Sequence, residues 1–159
     1  MESAITSLIA IAGTLLGVAA THIFQTRVAR QVRRDARNER LWQERLAAYS
    51  AFAGAITSYR GSQNARWYGK REGDSDAYIS VRTESLNERA NAKAALFRLQ
   101  LISSDGVLNC LASEALEATT DIHRASNETE RAERSERSQH ALLLLVEAAS
   151  RQIRQVSTG

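Results

Sequence analysis

Residues 42–59 read WQERLAAYSAFAGAITSY. Within them Trp42, Leu46, Tyr49, Phe52, Ile56 and Tyr59 recur at steps of 4, 3, 3, 4 and 3. An α-helix turns once every 3.6 residues, so this spacing stacks the six large apolar side chains on one face and predicts an amphipathic helix. Little in the chain would break such a helix: proline is absent from the 159 residues and glycine occurs eight times. Alanine, leucine, arginine, glutamate and glutamine, the strong helix formers, abound. An all-α chain is the fold class that follows.

Toward the C-terminus the pattern repeats. The first helix is expected to fray near Gly61 or to run on to Trp67 and Tyr68. Residues 69–76, GKREGDSD, read as a polar loop with Asp76 as the N-cap of a second helix. Ile79, Leu86, Ala90, Ala94, Phe97 and Leu101 mark that helix's expected core face, and Ser103-Ser104-Asp105-Gly106 its turn. A third helix carries Leu108, Leu111, Ala115, Ala118, Ile122 and Ala125. Asn127, followed by Glu130, caps a fourth whose face is Leu142, Val146, Ala149, Ile153 and Val156. Four such stripes on short connections bury best against one another as an antiparallel bundle. The alternating charges of residues 128–137 form a solvated helix face.

Toward the N-terminus the composition changes. From Ser3 to Thr26 no residue carries a fixed charge, and these 24 positions are long enough as a helix to span a bilayer core. The expectation is a transmembrane helix over 1–26, then a basic juxtamembrane helix over 27–45 and a bundle over 46–159. A cleaved signal peptide fits less well, because Glu2 stands where a positive n-region belongs. A buried helix of a soluble bundle would be shorter and show a polar stripe. Residues 25–45 hold seven basic and three acidic side chains, and residues 46–159 hold fourteen of each. The positive-inside rule then places the bundle in the cytoplasm, the N-terminus outside and the protein in the inner membrane. Arg27, Arg30, Arg33, Arg34 and Arg37 are the expected contacts to anionic lipid headgroups. Gly13 and Gly17 form a small-residue step that lets two such helices approach, which makes a homodimer the alternative to simple small-residue usage. Nucleic acid is set aside as a partner, because no leucine heptad follows the arginines to make the dimer that a zipper-type reader needs.

A search for chemistry in the sequence finds none. Cys110 stands alone, which excludes an internal disulfide, and it reads as a small buried apolar residue. His22 falls in the expected span, and His123 and His140 lie on different helices without metal-ligand spacing. Glu114 and Glu117 sit one turn apart among charges of both signs, and no nucleophile elbow or phosphate loop is present. No catalytic residue, metal or cofactor is expected, and the chain is read as a non-enzyme.

The block Leu41-Trp42-Gln43-Glu44-Arg45-Leu46-Ala47-Ala48-Tyr49, set after an apolar span and an arginine run, resembles the opening of small single-pass membrane proteins of actinobacterial type. The likeness extends to Leu99–Ser103 and to Ala148-Ala149-Ser150-Arg151. It implies the same anchored helical architecture and no assigned activity. The function expected is a membrane-anchored interaction or scaffold protein holding a cytoplasmic protein partner. The alternatives are a phage or mobile-element membrane effector and a sensor-type helical bundle.

Overall fold

The computed structural model describes the backbone from Glu2 to Ser157, and the side chains of Gln25 and of residues 30–154 apart from Asp35. Its elements in chain order are α1 (Glu2–Glu72), α2 (Ser75–Ile102), α3 (Gly106–Thr120), a 3₁₀ turn (Ile122–Arg124) and α4 (Glu128–Ser157). The all-α expectation with about four helices holds. The chain divides into two units, Met1–Leu41 and Trp42–Gly159.

In the first unit the described side chains are exposed, among them Arg30, Arg33, Arg34, Arg37 and the apolar Val32 at 60%. The expected placement in the inner membrane is corrected here: among the described residues no helix is long and apolar enough to cross a membrane. The physical reason is spacing. Across residues 30–154 charged or polar residues interrupt every apolar run within a few positions, the longest free of glycine being Ala141–Val146, so no run of spanning length forms there. The expected single-pass helix therefore has no support. Its residues 3–26, Gln25 apart, lie outside those whose side chains are described, as do Gly13, Gly17, His22 and Arg27.

In the second unit the core is built from one face of each helix. Tyr49, Phe52, Ile56 and Tyr59 of α1 meet Ala92, Leu96 and Leu99 of α2, Leu108, Ala112, Ala115 and Leu116 of α3, and Leu145 and Ala149 of α4. Four of the six α1 positions read from the sequence are thus buried; Leu46 is 41% exposed. At roughly 25 cal/mol per Å² of apolar area removed from water, these side chains supply the burial that offsets the ordering of the helices. Small residues dominate α3's inner face, which lets its neighbours come close.

Local chemistry sets the helix boundaries. α1 runs through Gly61 and Gly69 and ends only at Glu72, where Gly73 adopts φ +79°. That left-handed conformation closes a helix cheaply only in glycine. The N-cap of α2 is Asp74, not Asp76: its carboxylate accepts from Asp76 N at 3.0 Å and Ala77 N at 3.2 Å. Asp76 instead lies in the first turn, where its charge complements the helix dipole. Asp105 caps α3 in the same way, accepting from Val107 N at 2.9 Å and Leu108 N at 3.2 Å. The expected cap of α4 is present: Glu130 N donates to Asn127 Oδ1 at 2.8 Å, and the Glu130 carboxylate reaches back one residue beyond the cap, accepting from Ser126 N at 2.7 Å, a variant of the capping box.

The main departure from expectation is the face of α2. Ile79, Leu86, Phe97 and Leu101, the expected core positions, are 59, 48, 59 and 88% exposed. The buried face is Ser85, Ala92, Leu96 and Leu99. α2 carries two stripes at helical spacing, and the one with smaller residues faces inward because it allows closer approach. At the α1 contact, a Cβ on Gly69 would stand only 3.0 Å from Val81 Cγ2. α4 keeps most of its expected face, with Ala149 buried and Leu142 and Ile153 packed against the core; Leu145 and Ser138 are buried as well, and Val146 is 42% exposed.

Candidate functional site

Three surfaces of the second unit merit a chemical reading. The first is an open cleft of about 380 Å³ between α3 and α4, where Glu114, Glu117 and Asp121 oppose Arg134, Arg137 and His140. Part of its charge is spent on the fold. Arg134 donates to the Asp121 carbonyl at 2.8 Å and to Glu130 Oε1 at 2.6 Å. Cys110 is exposed rather than buried, and its thiol donates to Glu114 Oε1 at 3.4 Å. That hydrogen bond, and then the Glu114 charge, push the thiol above its ordinary range, which keeps it protonated and a poor nucleophile. His123 is half-buried with Nδ1 donating to the Thr120 carbonyl at 2.9 Å. Burial, with Arg66 nearby, holds it below the ordinary histidine value. Among the described residues no group of three or more His, Cys, Asp or Glu side chains could hold a metal ion.

The second surface is an apolar groove of about 300 Å³ along α1 and α4, lined by Leu46, Tyr49, Ala53, Leu145, Val146 and Ile153. Tyr49 spans its floor, donating from Oη to Gln152 Oε1 at 2.6 Å.

The third is the outer face of α2. Ile79, Leu86, Ala90, Ala94, Phe97 and Leu101 are all exposed and fall on one side of the helix, opposite the buried Ser85, Ala92 and Leu99. Placed at about 100° per residue, Arg82, Arg89 and Lys93 border the stripe on one edge and Arg98 on the other. All four are exposed, and none makes an ion pair or hydrogen bond within the described residues. An apolar ridge of this length rimmed by polar groups is what interaction surfaces present to a partner.

The family description that matches the chain is KilB plasmid transfer protein, over residues 46–153, more than half of its length. The chain belongs to this family. The KilB match falls within the bundle and so includes all three surfaces just described. It also overturns the resemblance to actinobacterial single-pass membrane proteins: the family indicated is a plasmid transfer family, and no such membrane family is indicated. No curated protein and no solved structure matches the chain.

Of the residues singled out from the sequence, Arg30, Arg33, Arg34 and Arg37 lie exposed on α1 in the first unit. Their assignment to lipid headgroups depended on the membrane placement and is not carried forward. His123 and His140 remain apart in role, the one tied to a backbone carbonyl and the other on the polar cleft. In the sequence the outer face of α2 is not legible as a surface, because its residues read as core positions. The signal that could have found it was present: a second stripe, Val81, Ser85, Ala92, Leu96 and Leu99, at the same spacing.

Proposed function

We propose that this chain serves plasmid transfer as a helical interaction module with no catalytic activity of its own, holding another protein of the transfer process on the bundle surface. Membership of the KilB family supports the process. The observation that carries the molecular role is the outer face of α2, with Phe97 59% and Leu101 88% exposed in line on one helix. The polar groups in and beside the α3–α4 cleft favour the same reading, since the Cys110 thiol is held protonated and Arg134, one of the cleft's two arginines, is committed to backbone and carboxylate partners.

The experiment is a mating assay with a plasmid that encodes variants of the full chain. The triple variant L86S/F97S/L101S is expected to lower transfer at least about tenfold while protein level and helicity stay unchanged, as loss of an interface centre would. Cys110→Ser and His140→Gln are expected to transfer like the parent. Normal transfer by the triple variant, or loss of transfer in either polar variant, would overturn the proposal.

A further inference from the structure

The outer face of α2 carries its own description of what can cover it. From Ile79 to Leu101 the stripe extends for about 33 Å at 1.5 Å per residue; Leu86 follows Ile79 after two turns, and from Leu86 on the apolar positions advance in steps of three and four residues. A ridge of that pitch is met along its whole length by a second helix whose apolar side chains repeat at the same spacing. The edges add a charge condition. Arg82, Arg89, Lys93 and Arg98 flank the ridge without a partner of their own, although Arg89 and Lys93 also border a cleft with Glu117 and Asp121. Of the carboxylates on α2, Asp76 stands at the first turn, and Glu84 and Glu88 fall away from both edges. The rim is therefore basic.

That condition decides against a second copy of the same face. Antiparallel pairing about a two-fold axis would set Arg82, Arg89 and Lys93 against the same residues of the other copy. Parallel pairing would set them against the edge that holds Asn87 and Arg98. Neither arrangement supplies a carboxylate, and like charges along a helix seam are repulsive. Resting on the interaction-module reading above, we infer that the outer face of α2 binds an amphipathic helix of a different protein, apolar along its seam and edged with Asp and Glu. Burial of Leu86, Phe97 and Leu101 supplies the affinity, and the basic rim selects the partner and speeds its approach.

The test uses the full chain and two fluorescent four-heptad peptides with identical Ile and Leu seams, one with glutamate at all edge positions and one with lysine. At low salt the glutamate peptide is expected to bind at least about tenfold more tightly, a preference that shrinks as salt screens the rim. L86S/F97S should weaken it by at least about tenfold. R82E/R89E/K93E/R98E should invert the preference, and the milder R82Q/R98Q, which removes charge without adding repulsion, should narrow it. Equal binding of the two peptides, failure of both to bind, or an unchanged preference in R82Q/R98Q would overturn the inference. So would duplex DNA displacing the glutamate peptide, or a self-associated chain dispersed by Phe97→Ser. If L86S/F97S/L101S still impairs transfer while the peptides show no charge preference, the interaction-module reading survives and the acidic helix falls. If that triple variant transfers normally, both fall.

Discussion

Trp67 Nε1 donates to the carbonyl oxygen of Ala125 at 2.8 Å, with both residues buried. This bond ties the last turns of α1 to the connection between the 3₁₀ turn and α4. The Arg71 guanidinium stacks 3.5 Å over the same indole and donates to the Ser126 carbonyl at 2.7 Å. Arg131 bonds Asn64, and Tyr68 Oη donates to Glu128 at 3.1 Å. One end of the bundle is thus closed by polar contacts around an aromatic anchor. Trp67→Phe keeps an aromatic ring but removes the pyrrole half of the indole with its donor, leaving the Ala125 carbonyl buried and unpaired. The expected cost is about 1–3 kcal/mol in urea unfolding. A change below a few tenths would mean that the bond contributes nothing.

Deeper in the bundle, the Thr119 hydroxyl donates to the Ala115 carbonyl at 2.7 Å and stands 2.7 Å from Ser138 Oγ, both residues being fully buried. With its own proton committed to Ala115, Thr119 must accept from Ser138. Thr119→Val strands the serine hydroxyl and is expected to destabilise by about 1–3 kcal/mol. Adding Ser138→Ala should recover part of that loss, because both ends of the pair are then apolar. Strict additivity of the two variants in a double-mutant cycle would show that the hydroxyls are not coupled.

The assignment of faces on α2 is open to direct measurement. Phe97 is 59% exposed and Leu99, two residues on, is fully buried. Phe97→Ser should shift stability by no more than about 0.5 kcal/mol, as surface changes do. Leu99→Ala should cost about 2–5 kcal/mol through lost burial and the cavity left behind. The opposite ranking would place the core on the stripe expected from the sequence.

His123 makes stability depend on pH in a defined direction. Burial, then Arg66, lowers its pKa below the ordinary 6.5, against a smaller upward pull from the Thr120 carbonyl. The unfolded chain therefore takes up this proton more readily than the folded one. Stability should be flat above 6.5 on this account, decline as pH falls through the folded value, and then level off. His123→Gln should remove that slope. Glu128, held low by its hydrogen bond to Arg131, and Glu130, held low by the Ser126 amide and Arg134, act only below their ordinary 4.5, and the comparison with His123→Gln separates their contribution from that of the imidazole. An imidazole NMR midpoint for His123 at or above 6.5 would contradict the prediction.

What could be read along the chain was mostly local. Asn127 and Glu130 declared the start of α4 because an N-cap side chain serves the amide three residues on, whatever surrounds it. The turn 103–106 was legible for the same reason, its Asp105 carboxylate serving amides two and three positions on. The α2 cap was misread by two residues because Asp74 and Asp76 are equal candidates by type, and only Asp74 takes the extended backbone that a cap requires. The uncharged stretch at the N-terminus led to a membrane placement that the described residues do not support.

By itself, then, the order of residues determined that the chain is helical, where its helices begin and end to within a few positions, and which face of α1 is apolar. Each of these follows from hydrogen bonds and periodicity within a few turns. Which face of α2 lies inward was decided only by the tertiary structure. Two apolar stripes of similar length compete on that helix, and the contest is settled by partners distant in sequence. The close approach of α1 near Gly69 and the small inner face of α3 admit Ser85 and Ala92 where Leu86 and Phe97 would not fit as closely. The larger side chains are left in water, and the proposed binding surface is the consequence of that packing choice.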